Sequence, residues 1–318
     1  MIKLIQFRYL LLLFILSCVE HKYHIVVSPD GGYSFEYKGH GNRQDLTDED
    51  VPLPEGLGWL VHSTLSEDVE SYDYTALKIL NVNESLPSSF YEGDSIYLPS
   101  LLSHPIQVQY SNWFLKETYI LDAKFKSRDV SNKYPMVESM IMDPENPTDG
   151  WASQVFDYLF TETLGRTPLE FNQQGMVAIE LNRWLHEDIA ILPDSVIIDS
   201  FDELKDTGLD IIMQPVSPIH YELMDSLFKQ LEDEARITID LMDDEFEFSI
   251  TLPGELVSTN ADTTRGDTLF WYYSVKDFLS EDFILSAKSE QKYPSRIKVI
   301  LLLLVALLLG LFVWRRDS

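Results

Sequence analysis

The residues of this chain best suited to chemistry are its carboxylates and histidines, and neither set falls into a known catalytic signature. There is no Gly-x-Ser-x-Gly elbow, no His-Glu-x-x-His helix, no phosphate-cradling glycine loop and no dinucleotide fingerprint. His21, His24 and His40 flank a predicted hairpin and would bind zinc if they converged, but strand residues three apart point to opposite faces. His186-Glu187-Asp188 closes a predicted helix, where a cationic imidazole suits the negative end of the helix dipole, and that reading competes with a metal role. Asn260, Asp262, Thr264 and Asp267 space their oxygens much as a calcium loop does. That pattern needs glycine at its sixth position and glutamate at its twelfth, where Arg265 and Trp271 stand, so a hairpin turn is the better reading. Asp45, Asp48, Glu49 and Asp50 form an acidic run that either holds a cation weakly or is a solvated loop. A glycosidase-like carboxylate pair has no local signature by which to find it among 52 acidic residues. Trp59, Trp113, Trp151, Trp184 and Trp271 fall on apolar faces of predicted elements and read as core rather than as ligand-stacking platforms. No catalytic, cofactor-binding or metal-ligating residue is assigned, and no cofactor is expected.

One residue is singled out for modification. Cys18 is the only cysteine. It follows a segment with Lys3, Arg8 and the apolar run Tyr9 to Leu16, which is too short to span a bilayer and has the form of a secretory signal. Ile15-Leu16-Ser17-Cys18 is similar to a bacterial lipobox, in which the chain is cut before a cysteine that is then acylated; plain cleavage or an uncleaved signal is the alternative. At the other end, Val299 to Trp314 is sixteen residues without charge or proline, eight of them leucine, followed by Arg315 and Arg316. Such a run predicts a transmembrane helix at 297–314, with 315–318 as a cytoplasmic tail and Trp314 at the interface. The bulk of the chain would then lie outside the cytoplasm.

Composition excludes some partners. With 24 Lys+Arg against 52 Asp+Glu, the formal charge of −28 repels nucleic acid and anionic lipid headgroups. Acidic excess is otherwise compatible with cation binding, a cationic partner or plain solubility. Aromatic and β-branched residues recur along the chain, which argues for packed structure. With no second cysteine, stability has to come from apolar burial.

Periodicity divides the chain into a signal (1–18), a β-rich region (19–142), a helical insertion (143–235) and a second β-rich region (236–295) that completes the sheet. His21–Ser28 and Tyr33–Gly39 alternate around Pro29-Asp30-Gly31-Gly32, a strong hairpin signal. Trp59–Leu65, Tyr72–Val82 and Gln107–Lys126 read as further strands, the last broken near Asn112. Helical spacing begins at Trp151, a capping box is read at Thr167-Pro168-Leu169-Glu170, and a third helix opens at Ser217-Pro218, burying Ile219, Leu223, Leu227 and Leu231. Val196–Ser200 and Leu209–Met213 read as short strands or loops. Arg236–Met242 and Glu245–Leu252 read as a hairpin, Glu255–Asn260 and Thr268–Tyr273 as another, and Phe283–Ser289 as the last strand. The expected class is α+β: one antiparallel sheet from N- and C-terminal strands, a helical block inserted between them, and a C-terminal transmembrane helix.

Leu252-Pro253-Gly254, then Asn260-Ala261-Asp262, then Gly266-Asp267-Thr268-Leu269-Phe270-Trp271 and an apolar helix together resemble the end of membrane-anchored bacterial lipoprotein domains of the mycobacterial LppM type. The first hairpin, with Asp30-Gly31, is similar to that family's first hairpin, while 150–235 has no counterpart. The resemblance implies an envelope location, with lipid binding suggested for a few members. The expected function is a non-catalytic binding or scaffolding role at the envelope, with an envelope protein, a lipid or a cell-wall fragment as ligand. The alternatives are a membrane-bound hydrolase or metal-dependent enzyme with an acidic site, and a receptor-like partner of other membrane proteins.

Overall fold

The computed structural model describes residues 19–47, 51, 53–65, 71–86, 106–144 and 146–317. Cys18, its preceding apolar run and Asp48, Glu49 and Asp50 lie outside the described residues.

Alternating apolar residues build the first layer. Strands β1 (Glu20–Val27) and β2 (Tyr33–Asn42) form the predicted hairpin, with Val27 opposite Tyr33 and Glu20 opposite His40. The Pro29-Asp30-Gly31-Gly32 turn works because Gly31 takes a left-handed φ of 88°, and the Asp30 carboxylate accepts from the Gly32 N–H. A turn of helix, α1 (Arg43–Leu46), capped by Asn42, follows, then β3 (Leu60–Leu65) and β4 (Ser71–Leu80). The expected strand pair within 107–126 is present as β5 (Gln107–Trp113) and β6 (Lys116–Phe125), and the turn falls at Phe114-Leu115. On β6, Tyr119, Leu121, Ala123 and Phe125 are all buried, as their alternation predicts.

Helices then run from α2 (Val130–Lys133) and α3 (Pro135–Met142) through α4 (Trp151–Arg166), α5 (Phe171–Trp184), α6 (Asp194–Asp199) and α7 (Phe201–Met213) to α8 (Tyr221–Asp240). Several sequence expectations are corrected here. Thr167 does not cap α5. It ends α4, with its hydroxyl donated back to the Thr163 carbonyl, and α5 starts at Phe171. The stretches 196–200 and 209–213, read as strands or loops, are helical. Arg236–Met242, read as a strand, is mainly the last turn of α8. That helix buries Met224, Phe228, Leu231, Ala235 and Thr238, a three-and-four alternation that runs straight through Ile237-Thr238-Ile239. The expected stripe of Ile219, Leu223, Leu227 and Leu231 advances four residues each time, about 40° of drift per step on a helix of 3.6 residues per turn; Ile219 is 80% exposed.

The remaining strands are β7 (Glu245–Thr251), β8 (Glu255–Thr259), β9 (Thr263–Arg265), β10 (Thr268–Ser274) and β11 (Phe283–Lys292). They contradict the single antiparallel sheet. One sheet has the order β3-β4-β2-β1-β7-β10-β9 and the other β5-β6-β11-β8. Within the first, β1 and β7 are parallel, Glu20 beside Glu245 through Val26 beside Thr251, because β7 reaches β1 only after the long helical excursion. The expected pairing of β8 with β10 is also replaced: β8 pairs with β11 and β10 with β7. The two sheets face each other across one aromatic core, with Phe125 of the small sheet 4.9 Å from Tyr273 and 6.4 Å from Phe246 of the large one.

The chain ends in α9 (Pro294–Asp317). Among the described residues, no helix is long and apolar enough to cross a membrane, which overturns the expected transmembrane helix at 297–314 and the cytoplasmic tail derived from it. The physical reason lies in its length. The uncharged part of α9 is bounded by Lys298 and Arg315, and sixteen residues rise only about 24 Å against a hydrocarbon core of about 30 Å.

The helical layer makes a sharp packing prediction at Gly208 of α7. A Cβ there would lie 2.8 Å from Trp184 Cζ3 and closer still to the Phe160 ring, and those two rings already pack edge to face at 5.5 Å. Alanine gains about 1 kcal/mol of helix propensity, but overpacking costs about 1–3 kcal/mol. Gly208→Ala is therefore expected to lower the denaturation midpoint; a raised midpoint would show that Phe160 and Trp184 move apart freely.

Candidate functional site

Two polar clusters stand out among the described residues. The first is centred on His21 of β1, which is 1% exposed. Its Nδ1 is 2.8 Å from the Tyr37 hydroxyl, and its ring stacks on Phe246 at 5.1 Å. Nε2 lies 3.4 Å from Asp244 Oδ2, too poorly aligned to be a hydrogen bond. Carboxylate, imidazole and phenol in line form an acid–base relay in outline. Access decides against that use, since Asp244 is 4% exposed and Tyr37 fully buried. The cluster instead ties the residues entering β7 to β1 and β2. Next to it, Asp243 is half-buried, and its carboxyl is pushed up from 3.8 to about 7, first by burial and then by the neighbouring Asp244 charge.

The second cluster lies at the β5–β6 turn. Trp113 pairs with Lys116, leaving a two-residue turn of Phe114 and Leu115. Val108 is buried in the core, so by alternation Tyr110 and Asn112 share its face and Trp113 takes the other. Trp113 is accordingly 71% exposed, with Phe114 at 58% and Leu115 at 40%. Beneath the turn, Glu117 is buried as a hub. It accepts from Asn112 Nδ2 at 3.0 Å, from the Tyr119 hydroxyl at 3.2 Å and from the Tyr293 hydroxyl at 2.6 Å. The bond to Glu117 raises the Tyr293 phenol above its ordinary value. The start of α9 closes the cluster: the Tyr293 N–H donates to the Leu115 carbonyl at 2.9 Å and Arg296 Nη1 to the Phe114 carbonyl at 3.0 Å. The Arg296 guanidinium lies 3.8 Å over the Tyr293 ring and 5.8 Å from the Phe114 ring. Lys116 pairs with Glu290 at 2.9 Å. The result is an apolar tip edged with cations and held from beneath by hydrogen bonds.

The structure disperses the sequence candidates. His24 bonds Ser249 at 2.8 Å, and His40 bonds Asp73 at 2.7 Å at the exposed far end of β2; neither reaches His21's partners. His186 lies in a π-helical turn at Leu185–Ile189, exposed to solvent. Asn260 and Asp262 do not form a calcium loop. Asn260 Oδ1 accepts from Trp271 Nε1 at 3.0 Å and from the Ser286 N–H at 2.8 Å, while its Nδ2 donates to the Ile284 carbonyl. Asp262 Oδ2 accepts from the Tyr272 N–H at 2.8 Å. Together they hold the crossover by which the chain leaves β8 in one sheet and enters β9 and β10 in the other. Trp59, Trp184 and Trp271 are buried, whereas the expectation that Trp113 is core is corrected. The signal that would have found it was strand parity: apolar Val108 sits an odd number of positions away.

The raised Asp243 carboxyl has a pH consequence. A folded-state value above the unfolded one means that the fold binds the proton more tightly, so this contribution to stability is fully present below about pH 4 and is lost as pH rises through about 7. Asp243→Asn is expected to raise the melting temperature relative to the unsubstituted chain at pH 8 and to have little effect at pH 4. Equal shifts at both pH values in thermal melts would contradict the assignment.

No protein-family profile matches the chain, and no curated protein matches it. Among solved structures, it is similar to the NMR structure of the folded domain of the LppM protein of Mycobacterium tuberculosis, with 10% identity and a TM-score of 0.35 over 87% of this chain and 92% of that one.

Proposed function

We propose that the chain is a lipid-tethered protein of a bacterial envelope, acylated at Cys18, whose folded body acts by binding rather than by catalysis. The observation that carries the binding role is how the reactive side chains are used. His21, Asp244, Asn260 and Asp262 are engaged in joining strands and sheets, while the surface offers apolar groups such as Trp113 and Phe114. The tether is supported by the local chain: Val19, next to Cys18, is 2% exposed against Gly41, and β1 begins at Glu20. An acylated Cys18 would thus attach its lipid where the fold begins, at the Glu20 end of β1. The ligand classes that suit this reading are an envelope protein, a lipid or a cell-wall fragment.

The alternative, an enzyme with an acidic site, has one observation in its favour. Asp243 is half-buried and titrates near neutrality beside Asp244, with Asp45 and Asp240 adding to the effect, and perturbed carboxyls concentrate at active sites. A hydrolytic activity of the purified protein that disappears in Asp243→Asn would support that alternative; activity of unchanged rate in the variant would remove it.

The tether is tested by growing cells with a labelled fatty acid and comparing the unsubstituted chain with Cys18→Ala. Label is expected on the first and at least tenfold less on the second. Equal label on both would contradict acylation at Cys18.

A further inference from the structure

We infer that the β5–β6 turn, Trp113-Phe114-Leu115, with Arg296 behind it, is a docking surface for the headgroup region of an anionic phospholipid bilayer. The inference goes beyond the envelope reading and does not depend on acylation of Cys18: the turn lies on the Pro29 side of the first hairpin, where Tyr119 bonds the Pro29 carbonyl, and Cys18 adjoins the opposite, Glu20 end of β1.

Three observations converge on this surface. First, it is apolar where solvent would favour polar groups: three consecutive large apolar residues are exposed at a hairpin tip, and Ile297 and Val299, just past Arg296 in α9, are exposed too. Trp113 is of the type that settles at the membrane–water interface, its ring in the apolar boundary and its N–H in water. Second, it is held rigid. The Phe114 and Leu115 carbonyls are bonded by Arg296 and Tyr293, and buried Glu117 fixes Tyr293 from below. A preformed tip loses little conformational freedom on docking, so less of the interaction is spent on ordering it. Third, its charge is opposite to that of the rest of the molecule. The chain carries −28 overall, yet from Lys288 to Lys298 there are four cations, Lys288, Lys292, Arg296 and Lys298, and one acid, Glu290; Lys116 adds a fifth from the turn. Glu290 is shared between Lys116 and Lys288, and Lys292 lies 3.8 Å from Glu255. Arg296 and Lys298 carry no ion pair among the described residues. A strongly anionic body is pushed away from anionic lipid, so it approaches with its cationic end leading. Each cation at the surface strengthens binding about fivefold, because it lies within a Debye length of the headgroups.

The test places a probe at the tip and another far from it, in the full chain carrying Cys18→Ala so that acylation plays no part. Phe114→Cys and, separately, Phe171→Cys on exposed α5 are labelled with a bimane fluorophore and mixed with vesicles of phosphatidylcholine alone or with 30 mol% phosphatidylglycerol, each containing brominated lipid as a quencher. Circular dichroism melts matching the Cys18→Ala parent show that the labelled chains are folded. Strong quenching at 114 and little at 171 is expected in anionic vesicles. The lipid concentration for half-maximal quenching at 114 is expected to rise about fivefold when Lys298→Gln is added, and further in neutral vesicles. Quenching that is equal at 114 and 171, absent at 114, or unchanged between anionic and neutral vesicles would overturn the inference. Failure here with Cys18 still acylated in cells would leave the tether standing, and the reverse result would leave the docking surface standing.

Discussion

The parallel pairing of β1 with β7 is the contact on which the rest of the architecture depends. β1 takes β2 on one edge through a local hairpin and β7 on the other after more than two hundred intervening residues. That places the first strand at the middle of the large sheet, so the chain from β5 to α8 must leave that sheet and return to it in β7. Side chains on the shared face follow: Tyr23, Ile25, Phe35, Tyr37, Phe246, Phe248 and Ile250 are buried together. At about 25 cal/mol per Å² of apolar surface removed from water, this aromatic layer is the main stabilising element available to a chain with one cysteine. Contacts of such long sequence separation are slow to form, and His21 sits where the distant segments meet, touching β2, β7 and the residue entering β7.

Polar residues do the joining around this layer. Asn260 satisfies an indole N–H of one sheet and backbone groups of the other at once. Arg128, 2% exposed, bonds Thr238 and the Glu234 carbonyl and so connects the end of β6 to α8. Buried groups of this kind cost about 1–3 kcal/mol each when left unpaired, so they specify one arrangement of sheets and helices rather than adding greatly to its stability. Asn260 is also one of the side chains that looked reactive in the sequence. The tip at Trp113 differs in kind: its hydrogen bonds lie underneath, and its apolar face is turned outward.

Legibility in the sequence followed the range of the interaction. Hairpins whose partners are adjacent, β1–β2 and β5–β6, could be read from alternation and turn chemistry because both strands and the turn lie within one window. The large sheet could not, since nothing local in Glu245–Thr251 names β1 as its parallel neighbour, and Glu255–Thr259 looks the same whether it pairs with β10 or β11. The α8 terminus was misread because Ile237, Thr238 and Ile239 are β-branched, and burial of Thr238 against Arg128 outweighed that preference. Thr167-Pro168 carried a capping pattern, but the preceding helix claimed the threonine. Trp113 was misplaced because residue type was weighed above strand parity. The leucine-rich end was read as a span because its flanking Ile297 and Lys298 were counted toward the length that a bilayer requires.

Native-state hydrogen exchange followed residue by residue tests the β1–β7 pairing most directly. If these strands close the sheet, the amides of Tyr23 to Val26 and of Phe246 to Ile250 exchange only through the same global opening, with equal free energies and equal sensitivity to denaturant. Exchange of the β1–β2 hairpin through a separate, lower-energy opening while β7 and β10 stay protected would contradict the account, because β1 would then be an edge appended to the sheet rather than its centre.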